Sequence, residues 1–457
     1  MPDSEVQNQP SVSSKSARKP QILKGFRDYL PDQMRLRQEV IGRFRRVFES
    51  HGFEPLDTPA IEYLEVLTGK AGENEKLMYE FEDHGGRRVG LRYDLTVPLA
   101  RVVAMHQAEI VLPFKRYHVA PVWRAEKPQR GRFREFWQCD ADIAGEPSAL
   151  ADAEVISILG ESLTAVGLPK FSILISHRVL LARLAVWAGV PENLAGQVYR
   201  SVDKLSKIGA TAVIDEMIET GIIREHAERI LDAIADAGDS GTMLQRLRLR
   251  FESDDVALLA LGELEEIFAI LPAMGIPEGQ ARFDPTLARG LDYYTGPVFE
   301  ATVDEPKVGS VAGGGRYEHL IGSFANRAIT ATGVSLGLER ILEVVNELKT
   351  LPIGLGLAEA FVVTFAGSVP ASAGIARELR DAGLRAELAS QTKRGVGDQL
   401  KYAARKGIPF AVIPGEAELE KHQVGVKNLQ TGDQVSLSVP AAAALIASLT
   451  SETVAGP

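Results

Sequence analysis

The sequence predicts an α+β fold: an antiparallel-sheet domain interrupted by a run of helices, followed by a smaller α/β domain. Three observations carry this. Apolar and polar residues alternate along Phe114–Val122 and again along Phe133–Ile143, with a glycine-bearing loop, Ala125 to Arg132, between them, as expected of two antiparallel strands. From about His177 to Gly275 the apolar spacing is that of successive helices. After Pro352 and Gly354, strand and helix signals alternate in regular succession. The expected boundaries are a disordered polar tail at 1–20, a large domain at 21–350 carrying a helical insertion at about 177–275, and an α/β domain at 355–457.

Taken in order, Leu36, Val40, Phe44, Val47 and Phe48 recur at helical spacing until Gly52 supplies a stop, and Phe53 to Pro59 reads as a short strand. Glycine and charge at Asp83 to Arg88 mark a turn between two further strands. Within this stretch the pattern of successive helices is seen in Val179, Leu180, Leu184 and Trp187, then in Ile214, Met217, Ile218, Ile222 and Ile230. Strand signals return at Arg282 to Thr286 and at Pro297 to Val303. Gly313, Gly314 and Gly315 are expected to make a close-packed turn before Arg316 and Tyr317. Ile341 to Leu348 closes the large domain. The last unit reads as strand Phe361 to Phe365, helix Ala371 to Ala382, strand Arg385 to Leu388, helix Val396 to Lys406 and strand Pro409 to Ile413.

At 457 residues the chain is too long for one ordinary core. A hydrophobic fraction of 45% with 25% charged residues is that of a soluble globular protein, and no apolar run approaches the ~18 residues that a bilayer span needs, so no membrane role is expected. Cys139 is the only cysteine, which excludes an internal disulfide and a thiolate zinc cluster and fits a reducing cytoplasm. The eight histidines lack metal-ligand spacing, so no metal site built from Cys or His is expected. A formal charge of −10 says little about local patches. Lys115, Arg116, Arg124, Lys127, Arg130, Arg132 and Arg134 face one acid, Glu126, with aromatic residues and glycine interleaved in a way that a solvated face does not need. A second basic run, Lys393, Arg394, Lys401, Arg405 and Lys406, meets only Asp398.

Three segments carry chemistry: Phe114 to Gly145, LARGLDYYTG at Leu287 to Gly296, and GVSLGLERI at Gly333 to Ile341. In the second, a guanidinium suited to phosphate or carboxylate oxygens precedes two tyrosines, whose flat faces and hydroxyls suit a planar nitrogenous ligand. In this order the segments resemble the class II aminoacyl-tRNA synthetases, and the Arg289 segment resembles the signature of the histidyl-tRNA synthetases among them. The resemblance runs from about Lys24 to about Leu449.

That resemblance implies activation of L-histidine with ATP and transfer to tRNA(His), with Mg2+ arriving on the nucleotide. It implies that Arg124 contacts the α-phosphate and the substrate carboxylate, that Arg340 binds the γ-phosphate, and that Arg289 approaches the α-phosphate from the substrate side. Three catalytic arginines from distant segments would then form one anion cradle. Glu126 and Arg132 would hold the bent nucleotide. Gly333, Ser335 and Gly337 form a small-residue stripe against which adenine could lie, although packing would also explain them. Asp94, Thr96 and Gln138 fall at the positions for the α-amino end of histidine, Asp142 and Tyr294 at those for the imidazole, with Tyr293 and Tyr317 completing the walls and Leu95 counted among the histidine-binding residues. The first helix, strand and Pro59 match the motif that forms a homodimer interface in that family, and the last domain matches its anticodon-binding domain.

The sequence departs from the commonest bacterial pattern in having Arg92-Tyr93-Asp94-Leu95-Thr96, Asp142 and Arg124-Ala125-Glu126, and it looks more like the eukaryotic and archaeal branch. A carboxylate remains at each substrate position. Competing readings are the catalytically inactive regulatory subunit of ATP phosphoribosyltransferase, a class II synthetase for another amino acid, and a pure RNA-binding module. The first of these typically loses the phosphate-binding arginines and the last domain, which this chain keeps.

Overall fold

The computed structural model describes residues 19–68, 76–168, 170–234, 238–287, 293–306, 308–325, 327–351 and 357–454. Most of the polar tail, and Arg289 with its neighbours in 288–292, lie outside them. The described residues fall into two compact units: one takes in those before Tyr29 and those of 44–163 and 169–344, the other those of 29–43, 164–168 and from Val345 onward.

In the larger unit the described strands are β1 (Glu54–Pro55), β2 (Ile61–Tyr63), β3 (Glu80–Glu82), β4 (Arg88–Leu91), β5 (Phe114–Trp123), β6 (Glu135–Ala144), β7 (Phe171–His177), β8 (Ala281–Phe283), β9 (Pro297–Val303), β10 (Ser310–Tyr317) and β11 (Ala331–Gly337). Eight of them form one sheet in the order β1-β5-β6-β11-β10-β9-β7-β8, antiparallel except where β1 joins β5 and β8 joins β7. A separate sheet is ordered β2-β4-β3, with the Asp83–Arg87 turn between β3 and β4 held by the Asp83 carboxylate, which accepts from Gly85 and Arg87 backbone N–H. The alternation read in Phe114–Val122 and Phe133–Ile143 becomes the β5/β6 ladder, Phe114 opposite Ala144 through Trp123 opposite Glu135. Two expected strands are shorter: Phe53 to Pro59 contracts to β1, and Arg282 to Thr286 to β8.

Gly313, Gly314 and Gly315 do not make a turn; they lie inside β10, between β9 and β11. The reason is steric. A Cβ on Gly314 would overlap the Gly333 carbonyl oxygen and the Phe299 ring, and one on Gly315 would stand 2.7 Å from the Pro297 carbonyl oxygen. Glycine here permits close strand approach rather than a reversal.

Between β7 and β8 the chain is helical, in Arg178–Trp187, Ala195–Val202, Leu205–Glu219 (broken at Gly209, φ 81°), Arg224–Ile234, Ser240–Arg250 and Asp255–Ile270. Asp239 and Asp254 cap two of these by accepting from Thr242 and Ala257 backbone N–H. Val198, Met217, Ile230, Leu247 and Leu264 bury the apolar stripes. The first helix, Pro31–Ser50, starts on proline and buries Leu36, Val40, Phe44 and Phe48. Phe48 packs on Tyr117 of β5, ring centroids 5.6 Å apart.

The second unit holds β12 (Ala360–Val362), β13 (Ala386–Leu388), β14 (Phe410–Ile413), β15 (Val424–Asn428) and β16 (Gln434–Leu437) in the order β13-β12-β14-β15-β16, the first three parallel and the rest antiparallel. Helices Val369–Asp381 and Val396–Arg405 follow the expected alternation. β15, β16 and the helix Val439–Val454 lie beyond the elements expected from the sequence; in β16 Val435 and Leu437 alternate with polar residues, but the strand is only four residues long and exposed along most of its length. No helix among the described residues is long and apolar enough to cross a membrane.

Candidate active site

One face of the eight-stranded sheet floors a cavity of about 1200 Å³. Arg124 at the end of β5, Glu126 and Arg132 of the following loop, Gln138 of β6, Ser335 of β11 and Arg340 of the helix Leu338–Leu348 line it. The insertion supplies another wall through Arg178, Tyr199, Arg200, Lys204 and Lys207.

The cations are held before any ligand arrives. Arg124 Nε donates to the Tyr93 carbonyl at 2.9 Å, and its guanidinium carbon stands 5.1 Å from the Phe136 ring centroid, which leaves the fork end to meet an anion. Arg340 Nη1 donates to the Ser310 carbonyl. Glu126 and Arg132 form an ion pair at 2.6 Å, so the loop between β5 and β6 is closed on itself. Gln129 and Arg132 exchange backbone hydrogen bonds, and Gly131 at φ 67° lets the loop tip lie against Arg340, where a Cβ would stand 3.3 Å from Arg340 Cγ.

At the inner end of this face the sheet register stacks charge in rows. Arg116, Asp142, Gly333 and Gly315 stand opposite one another across β5, β6, β11 and β10, and His118, Asp140, Ser335 and Gly313 form the next row. Arg116, fully buried, pairs with Asp142 Oδ2 at 2.7 Å and donates to the Leu95 carbonyl at 3.2 Å. The Tyr317 hydroxyl donates to Asp142 Oδ1 at 2.7 Å. A Cβ on Gly333 would overlap that same oxygen, so glycine is required there by the Asp142 carboxylate. Asp94 accepts from Val97 N–H at 3.1 Å and from the Tyr293 hydroxyl at 3.4 Å. Tyr293 sits edge-on to Tyr294 and Tyr317, centroids 5.0 and 5.7 Å away.

Burial dominates the electrostatics. It pushes Asp94 up to about 6 and Asp140 up to about 8, the latter helped by the neighbouring Asp142 and Asp94 charges and opposed by Arg116. Asp142 is also raised by burial, against the pull of Arg116. Gln138 donates to the Ser335 hydroxyl at 2.6 Å, which leaves its Oε1, like Asp140 Oδ1, buried without a hydrogen-bond partner. Three buried carboxylates around one paired arginine, with two acceptors left over, can chemically offset the charge of a cation.

Of the residues singled out in the sequence, Arg124, Glu126, Arg132, Gln138 and Arg340 come together around the cavity. Asp94, Asp142, Tyr293 and Tyr317 meet in the buried cluster beside it, with Thr96 and Tyr294 packed at its edge. Leu95 does not join them by its side chain, which packs with Ala120, Val122 and Phe136; only its carbonyl reaches Arg116. Of the small-residue stripe, Ser335 and Gly337 line the cavity whereas Gly333 is covered by Asp142. In the sequence Arg116 stands only as one charge in a basic run, and Asp140 carries no expected role. The available signal was the i,i+2 pair Asp140 and Asp142, which on a strand share one face and together need a buried cation.

A mostly antiparallel sheet that presents arginines from separate segments into one cavity, joined to a second α/β unit, defines this chain as a class II aminoacyl-tRNA synthetase. The family model described as histidyl-tRNA synthetase matches residues 25–341, and the anticodon binding domain matches 359–449. The histidine--tRNA ligase of Rhodopirellula baltica is 43% identical over 90% of this chain and 94% of its own. The crystal structure of histidyl-tRNA synthetase from Nostoc sp. PCC 7120 superposes with a TM-score of 0.84 at 32% identity, covering 94% of this chain and 99% of that one. The chain belongs to the histidyl-tRNA synthetase family. A structure from Bacillus halodurans C, described as an ATP phosphoribosyltransferase regulatory subunit/histidyl-tRNA synthetase, shares the fold at 22% identity and a TM-score of 0.73, covering 84% of this chain and 97% of that one. The fold alone therefore does not separate the regulatory reading from the catalytic one; the identity to ligases over nearly the whole chain does.

Proposed function

We propose that this protein activates L-histidine with ATP to histidyl-adenylate and transfers histidine to the 3′ end of tRNA(His). The observation that carries this is the adjacency of an arginine-lined cavity to a buried, carboxylate-rich cluster walled by tyrosines. In this reading the histidine carboxylate attacks the α-phosphorus in line and pyrophosphate leaves. The nucleophile is already ionised, so the protein's work is orientation and charge stabilisation. Arg124 meets the α-phosphate and the substrate carboxylate, Arg340 the γ-phosphate, and Arg289 the α-phosphate from the amino-acid side. Asp94 and Gln138 take the α-ammonium, and Asp142 with the tyrosines orients the imidazole. Glu126 and Arg132 keep the nucleotide bent. Mg2+ neutralises ATP phosphate charge. The site works in a homodimer built on the 43–59 segment, in a reducing cytoplasm compatible with the single buried Cys139.

Pyrophosphate exchange into ATP with each of the twenty amino acids tests the assignment. Histidine alone should support exchange; exchange with a different amino acid instead would overturn the specificity, and none at all would favour the regulatory reading.

The raised carboxyls predict a pH dependence. An acid whose folded value lies above its ordinary ~4 is protonated in the folded state over a range where the unfolded chain is ionised, so stability is greatest below that range and falls as pH rises through the folded value. For Asp94 and Asp140 this window runs from ~4 to about 6 and about 8. An ammonium ligand favours the ionised forms, so histidine binding near pH 7 should release protons, measurable by calorimetry in two buffers of different ionisation enthalpy. Asp140→Asn should remove most of that release. Unchanged release in the variant would show that Asp140 does not sense the ligand.

The second unit is assigned to tRNA. Lys393, Arg394, Lys401, Arg405 and Lys406 are exposed, and Lys401 and Arg405 share one face of the helix Val396–Arg405; Lys401 stands 3.7 Å from Asp398 and Lys406 2.5 Å from Glu387. The double variant Lys401→Glu with Arg405→Glu should lower aminoacylation at limiting tRNA by about tenfold or more at moderate salt. Exchange should be unchanged. Equal losses in both reactions would remove the assignment.

A further inference from the structure

Behind the sheet, on the face away from the cavity, lies a second charged network. Arg316 immediately precedes Tyr317 in β10, so the two side chains leave by opposite faces, and Arg316 is buried. Its Nη2 meets Asp152, buried on the helix Ala149–Ala165, and its Nη1 donates to Glu263 Oε1 at 2.6 Å. Glu263 belongs to the insertion's last long helix, Asp255–Ile270, and its other oxygen lies 2.9 Å from His177 Nε2. His177 ends β7 and caps the insertion's first helix: its Nδ1 accepts from Val179 N–H at 3.2 Å, so the ring proton is on Nε2 and is donated to Glu263. One carboxylate thus grips both a central strand and the point where the insertion leaves the sheet.

The same residues touch the front of the sheet through their backbones. The Arg316 carbonyl accepts from Thr295 N–H at 2.9 Å, beside Tyr293 and Tyr294, and a Cβ on Gly296 would stand 3.2 Å from Arg316 Cβ. The Gly296 carbonyl accepts from Arg178 N–H at 2.9 Å, and the Arg178 carbonyl accepts from the Tyr199 hydroxyl at 2.7 Å on the cavity wall. A buried ion-pair network of this kind contributes little net stability.

We propose that Arg316 and Glu263 are positioning residues for the amino-acid pocket: through them the tyrosine walls and the first and last helices of the insertion are held as one piece, so that substrate affinity depends on where the insertion sits. This rests on reading the tyrosine cluster as the amino-acid pocket. Glu263 is partly exposed, and Glu263→Gln keeps its shape while removing the charge. In the full-length protein that variant should raise the Michaelis constant for histidine in pyrophosphate exchange by about tenfold, within the range a small misplacement at distance produces, and by more than it raises that for ATP, whose cavity shares the insertion wall. His177→Gln should move the same constant in the same direction. Arg316→Lys should rescue part of what Arg316→Met loses, and if the methionine variant does not fold, the Glu263 and His177 variants carry the test. A lowered thermal midpoint with an unchanged histidine constant in Glu263→Gln would overturn the proposal, leaving the network a structural prop. If the wild-type protein exchanges with a different amino acid, the constant for that substrate is followed; the substrate assignment then fails while the positioning role is still decided.

Discussion

Replacing Arg124 with alanine should slow adenylate formation by about a hundred- to a thousandfold, the usual loss when one preorganised donor to transition-state charge is removed. The structure explains why no neighbour compensates. Arg124 Nε is committed to the Tyr93 carbonyl and its plane lies near the Phe136 ring, so the remaining guanidinium edge is aimed before the substrate binds. Charge on the α-phosphate grows as the carboxylate attacks, so the loss should fall on turnover more than on the Michaelis constant for histidine. Arg124→Lys should recover little, because an ammonium cannot hold the carbonyl and meet an anion in a fork at once. Steady-state exchange kinetics check this; a variant that changes only the histidine constant would move Arg124 out of the phosphate cradle.

Asp142→Ala should act on a different quantity. It strands the fully buried Arg116 without its partner and removes the acceptor of the Tyr317 hydroxyl, a change worth about 3 to 5 kcal/mol of stability. Thermal unfolding reads that loss, and the Michaelis constant for histidine should rise with it. The two effects can be separated: adding Arg116→Met to Asp142→Ala removes the orphaned charge and should restore much of the stability without restoring histidine affinity. Recovery of both together would mean that Asp142 serves the fold and not the imidazole.

Local chemistry wrote several features into the sequence. The period of two along Phe114–Val122 and Phe133–Ile143, the helical spacing from His177 to Gly275 and the alternation after Pro352 each depend on neighbours a few residues away, and each became the corresponding strands and helices. The segments of Arg124 and Arg340 are local patterns too, a charged fork among aromatic residues or glycine, and their arginines line one cavity, whereas Arg289 of the third segment lies outside the described residues.

What the tertiary structure alone decided is which side chains meet across the sheet. Gly313 to Gly315 looked like a turn because glycine is permissive in any context; only the approach of Phe299 and Gly333 shows that they are the inside of a strand. Leu95 sits between two polar candidates in sequence, yet its side chain faces Val122. Arg116 and Asp142 become a pair, and Gly333 becomes obligatory, through the register of β5, β6 and β11. Arg316, Asp152, Glu263 and His177 come from a strand, two helices and a strand end far apart in the chain. No periodicity signals such a meeting, because it is set by strand order and register, and burial then turns those few juxtaposed charges into the shifted carboxyls and fixed hydrogen bonds of the site.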